Sequence, residues 1–143
     1  MDVRPLDDPP AGIRFIQADA TTMSGFPDDS VPSLSSLHAA EHFGLGRYGD
    51  PVNPTAHITF MKSLQRVLAP GGHLYFSVPM DRQDVVQFNA QRFLSTNTVR
   101  DAFDRLELVS FGLVTPQGRY LETATEKDID RLGHVCGLFE FTK

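Results

Sequence analysis

The spacing of hydrophobic and polar positions changes repeatedly along the chain and predicts alternating strands and helices. Five apolar runs have the length or the alternation of a strand, and they cover residues 13–18, 34–40, 73–79, 108–114 and 135–141. Helical spacing predicts helices over residues 54–68 and 95–106, and Thr125 begins a third, short helix that Gly133 ends. This order of elements is typical of the α/β class.

Residues 34–79 are predicted to form a strand, helix and strand unit. Ile58, Met61 and Leu64 share one face of the helix. Proline cannot continue the helical hydrogen bonds and glycine accepts the left-handed conformation of a helix end, so Pro70 and Gly71 mark where the helix stops. We expect the two strands to be parallel and their crossover to be right-handed.

The loop of residues 37–54 lies between the first strand of this unit and its helix. It carries two histidines, Glu41, Arg47, Tyr48 and Asp50 among three glycines and two prolines, which is not the composition of a core. A polar, glycine-rich run that leaves a strand and enters a helix is typical of a ligand-facing loop at the carboxyl edge of an α/β sheet. We therefore predict that this loop holds the functional site.

Composition narrows the class of protein. A chain of 143 residues and 15.9 kDa predicts one domain over residues 1–143, with 1–12 as an irregular lead-in. The net charge of -5 argues against binding of nucleic acid, which needs a basic surface. With one cysteine, no signal-like start and no run of membrane-spanning length, we expect a cytoplasmic protein without a disulfide or a membrane partner.

Several short motifs resemble the second half of a class I S-adenosylmethionine-dependent methyltransferase. They are Asp19-Ala20 after a strand, Glu41-His42 at the end of the next, and the Ala69-Pro70-Gly71-Gly72 turn before another. Residues 41–51, 88–92 and 137–141 more narrowly resemble a methyltransferase-like family of unknown function from bacteria and nematodes. The resemblance spans nearly all of residues 13–143.

The resemblance implies a truncated, Rossmann-like methyltransferase fold with helices packed on a sheet of about five mostly parallel strands and an antiparallel C-terminal strand. In that fold the strand order is 3-2-1-4-5-7-6. Its cofactor site includes a glycine-rich turn after the first strand, whereas no Gly-x-Gly pattern precedes Ile13 here. The expected cofactor is S-adenosylmethionine, and this chain carries only the adenine side of its site, with Asp19 and Ala20 as cofactor-binding residues.

Glu41 and His42 are the candidate catalytic residues. An imidazole titrates near neutrality and a carboxylate can orient it, so the pair could take the proton of an acceptor hydroxyl. Adjacent residues on an extended chain point to opposite faces, so joint action requires a turn at this place. Asp19 either accepts a hydrogen bond from an adenine amino group or caps its own turn.

The candidate substrate-binding residues come from two segments that we expect to meet at the carboxyl edge of the sheet. The loop supplies Arg47, Tyr48 and Asp50, with Arg47 bonded to an acidic or carbonyl group of its own loop or to a substrate anion. Asn89 and Arg92 follow the strand of residues 73–79, and they either bind substrate or brace the loop. No spacing of side chains suggests a metal site. His38 is interpreted as a packing or hydrogen-bonded residue of its strand, and Cys136 as an inert, buried thiol of the final strand.

Two functions are compatible with these residues. The first is a methyltransferase-like enzyme that acts on a small molecule, with a saccharide-related metabolite as the candidate acceptor. The alternative is a non-catalytic, truncated methyltransferase fold that serves as a binding or assembly module. Because two central strands of the resembled fold are missing, we expect residues 13–18 to pair directly with residues 34–40, and we expect the chain to form a homo-oligomer.

Overall fold

The computed structural model describes all 143 residues and contains seven strands and three α-helices. The strands are β1 (Val31–Leu37), β2 (Leu68–Met80), β3 (Val85–Val86), β4 (Arg92–Phe93), β5 (Glu107–Val114), β6 (Tyr120–Leu121) and β7 (Val135–Thr142). The α-helices are α1 (Ala56–Val67), α2 (Thr96–Ala102) and α3 (Glu126–Leu132), and Ala40–His42 form a turn of 3₁₀-helix. No helix has both the length and the apolar character needed to cross a membrane.

Five strands form the main sheet, in the order β1-β2-β7-β5-β6. Strands β1 and β2 are parallel, and β7 is antiparallel to both of its neighbours, β2 and β5. Three of the five strands therefore run in one direction, and β7 and β6 run in the other. Only the β1–β2 pair is parallel among the four neighbouring pairs, so the sheet is less parallel than expected. This arrangement confirms the predicted α/β class and reproduces the 4-5-7-6 half of the resembled strand order, with the C-terminal strand antiparallel.

The predicted strand, helix and strand unit is present as β1, α1 and β2. Helix α1 buries Phe60, Met61 and Leu64 against the sheet. The chain leaves the helical conformation at Leu68, where β2 begins, and Gly71 has a φ of 72° in the first part of β2, where the pairing with β1 is irregular. The helix begins at Ala56, close to its predicted start at residue 54. Strand β2 begins at Leu68, earlier than its predicted start at residue 73.

The caps predicted for the other two helices are also confirmed. The Ser95 hydroxyl accepts a hydrogen bond from the Thr98 N–H at the start of α2. Thr125 and Asp128 form a capping box at the start of α3, and Gly133 ends that helix with a φ of 72°. These local signals locate both helices because each cap satisfies backbone groups that a helix end leaves unpaired.

Five of the eleven phenylalanines belong to the buried core cluster, whereas Phe88 is 96% exposed. Phe103 packs edge-on against Phe76, with ring centroids 5.1 Å apart, and lies 4.9 Å from Phe141. Phe139 of β7 stacks on Phe111 of β5, with ring centroids 4.6 Å apart. Such pairs add roughly 1 kcal/mol each beyond the area they bury. These contacts join β2, β5, β7 and the end of α2.

The predicted strand at residues 13–18 is absent, and so is its pairing with β1. Only Gln17 makes an isolated bridge, and its partner is Asp2 in the lead-in. Ile13 is 60% exposed, so the alternating pattern of this segment does not bury its apolar positions. Strand β1 consequently has β2 as its single strand neighbour, and its other edge carries no strand. A strand needs a partner to satisfy its backbone, and the pattern of residues 13–18 does not specify one.

Candidate functional site

The backbone turns sharply where β1 ends, and this turn brings Glu41 and His42 to one side of the chain. His38 has a φ of 51°, and the 3₁₀ turn of Ala40–His42 follows at once. Glu41 Oε1 lies 3.2 Å from His38 Nδ1 and 3.9 Å from His42 Nε2. One carboxyl group therefore stands between two imidazoles. The turn that joint action requires is present, although β1 ends three residues before the predicted strand does.

Glu41 is an unusual group to find in such a position, because its side chain is 1% exposed. Burial raises the pKa of this carboxyl, and the nearby His38 and His42 only partly oppose that effect. Its second oxygen, Oε2, has no hydrogen-bond partner, and neither has the buried Nδ1 of His42. A carboxylate with a free oxygen and two neighbouring imidazoles can hold and move a proton.

Cys136 extends this cluster on the far side of His38. Its sulfur lies 3.0 Å from His38 Nε2, so the imidazole bridges the thiol and Glu41. Burial raises the pKa of the Cys136 thiol, and the charge of Glu41 raises it further. His38 is hydrogen-bonded, which is one of the two roles expected for it, but it lies one residue beyond β1, and Cys136 is only partly buried and contacts an imidazole, unlike the inert thiol expected from the sequence. The only signal for the pair is the strand register, in which Cys136 faces Pro79 across β2 and β7.

Arg92 is a buried brace for the turn. Its guanidinium donates hydrogen bonds to the carbonyl oxygens of Phe43 and Glu41, and the residue is 5% exposed. Burial lowers the pKa of Arg92, and the charge of Asp50 partly opposes that change. Two roles were predicted for Arg92, binding substrate or bracing the loop, and these contacts are those of a brace.

Arg47 joins the loop to the hairpin segment, as expected, but through a different partner. Its Nη1 donates to the carbonyl oxygen of Ala90 at 2.6 Å. The prediction that the loop and residues 88–92 meet is confirmed, while the prediction of a bond within Arg47's own loop is wrong. The loop's carboxylate, Asp50, instead accepts from the N–H groups of Gly44 and Tyr48. The short hairpin of β3 and β4 carries Ala90 toward Arg47, and sequence patterning missed this two-residue pairing.

Asp50 holds the loop in a closed shape. Its two oxygens lie 2.7 Å from Gly44 N and 3.2 Å from Tyr48 N. Burial alone would raise the pKa of Asp50, but these backbone N–H groups outweigh burial, and the net effect is a lowered pKa. Asp50 is therefore a charged acceptor for the loop's own backbone.

Two of the candidate substrate-binding residues keep accessible side chains. Tyr48 is 47% exposed, with the guanidinium groups of Arg4 and Arg47 at 5.5 Å and 5.9 Å from its ring centre. The Tyr48 ring also meets His42 edge-on, with centroids 5.6 Å apart. Asn89 is exposed at a turn position with a φ of 54°. The Tyr48 ring and the two guanidinium groups therefore form a surface beside His42.

The candidate cofactor residues Asp19 and Ala20 lie in a different stretch. Asp19 Oδ1 accepts from the N–H of Thr21, which is the turn-capping arrangement considered from the sequence. The residues that follow are held against the C-terminal half of α1, where Ser63 donates to the Thr21 carbonyl oxygen. No hydrogen bond or ion pair joins Asp19 or Ala20 to the loop of residues 37–54.

His57 is the remaining buried titratable group near the loop, on the first turn of α1. Burial and then the charge of Arg92 lower its pKa to about 4, from an ordinary value of 6.5. A group whose pKa is lower in the folded state binds fewer protons there than in the unfolded chain. The stability that neutral His57 supports is present above pH 6.5 and is lost as the pH falls toward about 4.

We expect His57→Gln to remove part of this acid sensitivity. Each unit of pKa difference is roughly 1.4 kcal/mol, so the free energy of unfolding should fall by about 3 kcal/mol less in the variant between pH 7 and pH 4. Urea unfolding at a series of pH values measures the difference. His73→Gln is the control, because His73 is a partly exposed histidine paired with Glu140. Parallel pH curves for His57→Gln and the wild type would contradict the assignment.

The fold and the position of the polar loop define the structural class of this chain. The sheet order, the parallel β1-α1-β2 crossover and a polar loop at the carboxyl end of β1 make this a Rossmann-like fold of the methyltransferase type. Residues 26–112 match the model of a family described as Caenorhabditis protein of unknown function, DUF268. This match covers more than half of the chain, so the chain belongs to that family. No curated protein sequence matches it.

Solved structures of similar fold are methyltransferases for the most part. An S-adenosylmethionine-dependent methyltransferase of Leishmania major, from the DUF858 family, has a TM-score of 0.60 at 14% identity, over 92% of this chain and 47% of that one. The 1,6-didemethyltoxoflavin-N1-methyltransferase of Burkholderia thailandensis, solved with 1,6-didemethyltoxoflavin and S-adenosylhomocysteine bound, has a TM-score of 0.56 at 14% identity, over 91% and 51%. The [4+2]-cyclase SpnF has a TM-score of 0.58 at 13% identity, over 88% and 54%.

These similarities are at the level of the fold. The chain spans about half the length of each of these three structures. One of them is named as a cyclase and two as methyltransferases, so the fold does not by itself determine the reaction.

Proposed function

We propose that this chain is a methyltransferase-like protein that uses S-adenosylmethionine and acts on a small molecule, with a saccharide-related metabolite as the acceptor. The observation that carries the proposal is the buried Glu41 carboxyl between His38 and His42 at the carboxyl end of β1. Ligands of open α/β sheets bind at this edge. The similarity to methyltransferase folds supports S-adenosylmethionine as the cofactor. The choice of acceptor rests on the residues of the loop.

The residues present fit part of the cofactor. One carboxylate oxygen of Asp19 accepts a hydrogen bond from the Thr21 N–H in its own turn, so the other oxygen can accept one from the amino group of an adenine. Ala20 packs against the core beside it and presents a small side chain there. Asp19 and Ala20 would therefore hold the adenine. When bound, S-adenosylmethionine supplies an electrophilic methyl group.

Proton transfer falls to the Glu41 and His42 pair. An acceptor hydroxyl must lose its proton as it is methylated, and neutral His42 can take that proton. Glu41 stabilises the imidazolium that forms, because its Oε1 is 3.9 Å from His42 Nε2. Tyr48 borders His42, and its exposed ring with Arg47 and Arg4 offers a surface for a polar, ring-shaped acceptor.

A non-catalytic binding or assembly module is the second candidate function. It is favoured by two observations: Asp50 and Arg92 use their charges on the loop's own backbone, and β1 has an edge without a strand partner. An open strand edge is a template for pairing with another chain. Under this alternative the chain self-associates through β1.

Calorimetric titration with S-adenosylmethionine and with S-adenosylhomocysteine tests the proposal. We expect a Kd in the micromolar range, and we expect Asp19→Asn to weaken it about tenfold, since hydrogen bonds to charged groups contribute roughly 1.5 kcal/mol or more. Asp8→Asn is the matched control, because Asp8 is an exposed carboxylate of the lead-in.

One outcome would overturn the enzyme function, and a second would overturn the adenine site. Absent or millimolar affinity for both molecules removes the cofactor from this chain, and sedimentation of the same sample as a dimer then supports the assembly module. Equal affinities for Asp19→Asn and Asp8→Asn would instead show that adenine is not held at Asp19.

A further inference from the structure

Cys136, His38 and Glu41 form a continuous chain of three groups that the proposed methyl transfer does not use as a unit. The Cys136 sulfur is 3.0 Å from His38 Nε2, and His38 Nδ1 is 3.2 Å from Glu41 Oε1. A nucleophile, a base within hydrogen-bond reach and a third group that orients the base are the parts of a nucleophilic site. The three residues come from the ends of β1 and β7 and from the 3₁₀ turn, which the fold brings together at one edge of the sheet.

The distances indicate which nitrogen of His38 faces Glu41 and which faces the Cys136 thiol. If the Nδ1–H of His38 donates to the Glu41 carboxylate, neutral His38 presents an unprotonated Nε2 to the thiol. Glu41 is closer to His38 than to His42, at 3.2 Å against 3.9 Å, so His38 is the imidazole that it orients best. The Glu41 side chain is 1% exposed and its Oε2 is unpartnered, which is costly to maintain unless the carboxyl has a role.

We propose that Cys136 and His38 form a second reactive site, in which the Cys136 thiol accepts an acyl group from a small activated ester or thioester. As the sulfur attacks the carbonyl carbon, His38 Nε2 takes the thiol proton and a sulfur–carbon bond forms. The bond from that carbon to the leaving oxygen or sulfur then breaks, and the leaving group takes the proton from His38. The products are S-acylated Cys136 and an alcohol or thiol.

An acyl donor fits this site better than an alkylating agent does. Alkyl transfer needs only the removal of the thiol proton, whereas acyl transfer also returns a proton to the leaving group, and one imidazole performs both steps. The His38 side chain is 49% exposed, so a leaving group on the solvent side can reach it. Burial and Glu41 raise the pKa of the Cys136 thiol, so the thiol rests in its protonated form and needs His38 for the attack.

The proposal is independent of S-adenosylmethionine, and a chromogenic ester tests it without that cofactor. With p-nitrophenyl acetate we expect a burst of one equivalent of p-nitrophenolate per chain and acetylation at Cys136 by mass spectrometry. Cys136→Ala should abolish the burst, and His38→Gln should slow it about a hundredfold, the usual contribution of a general base. His73→Gln is the matched control, because His73 also pairs with a glutamate, Glu140, but is not bonded to a thiol.

Chemical rescue separates a base from a packing residue. His38 has a φ of 51°, which glycine accepts readily, and its half-exposed side chain leaves a space that free imidazole can enter. We expect imidazole to restore the burst in His38→Gly. Adding Glu41→Gln to that variant should lower the imidazole-dependent rate, because Glu41 acts by positioning the base.

Three results would overturn this site. They are acetylation no faster than that of a free cysteine derivative, equal burst rates in His38→Gln and His73→Gln, and a His38→Gly variant that imidazole does not rescue. A chain that fails to bind S-adenosylmethionine but shows the burst would retain this site while losing the proposed methyl transfer.

Discussion

Gly44→Ala is expected to lower the free energy of unfolding by about 3 kcal/mol or more, a loss in the upper range for single substitutions. A Cβ atom at this position would lie 2.0 Å from the Asn53 carbonyl oxygen and 2.8 Å from the Ala56 side chain. Both are fixed groups at the start of α1, so the loop must move away from the helix. The loop would also lose the bonds that Gly44 makes to Asp50 and Asn53.

Gly49→Ala is the matched control for this prediction. Gly49 has a φ of 83° and Gly44 one of 73°, so alanine is strained at both positions by about 1 kcal/mol. Nothing lies within 4 Å of a Cβ at Gly49. The difference between the two variants therefore reports the close approach of the loop to the helix. Thermal and urea unfolding measure it, and equal losses for the two variants would show that the loop is not packed in this way.

Local signals explain why so much of the fold could be predicted. Helix α1 ends at Val67, three residues before Pro70, Ser95 caps α2, and Thr125 caps α3, so each helix boundary lies within a few positions of its local signal. The apolar spacing of α1 and the length of the β2 run add a parallel crossover, whose hand is almost invariant. Residues 13–18 carry a comparable alternation without a partner strand. Their failure to form a strand shows that alternation predicts burial only where another element can cover it.

The site could be predicted only in part, for a related reason. The loop was recognisable because glycine, proline and charged residues interrupt two regular elements within residues 37–54. The contacts of its side chains depend on distant backbone: Arg47 meets Ala90 through the β3–β4 hairpin, and His38 meets Cys136 across 98 positions of sequence. The glutamate between two histidines could have been anticipated from a turn at Ala39–His42, but nothing local in the sequence predicts that turn. The contacts between distant residues of the site follow from the register of the strands.

Arg92 provides the second large effect, because it is a charged side chain buried without a carboxylate bonded to it. Its hydrogen bonds go to the Phe43 and Glu41 carbonyl oxygens, which would otherwise be left unpaired beside the core. We expect Arg92→Met to keep most of the packing volume and to lower the free energy of unfolding by about 3 kcal/mol, since each unsatisfied buried group costs roughly 1–3 kcal/mol. Arg92→Lys should cost less, because one ammonium can still reach a carbonyl oxygen.

Arg100→Met is the control for the brace, because Arg100 is exposed on α2 and methionine is as good a helix former as arginine. Its unfolding free energy should change by less than about 0.5 kcal/mol. Arg92→Met should also expose the 3₁₀ turn, and faster amide hydrogen exchange at His42 and Phe43, whose N–H groups are bonded within the turn, would report this directly. A substrate-binding Arg92 would give the opposite pattern, since removing a buried charge that serves only a ligand would leave the fold unchanged or more stable. Unfolding in urea together with hydrogen exchange thus decides between the bracing and binding roles of this arginine.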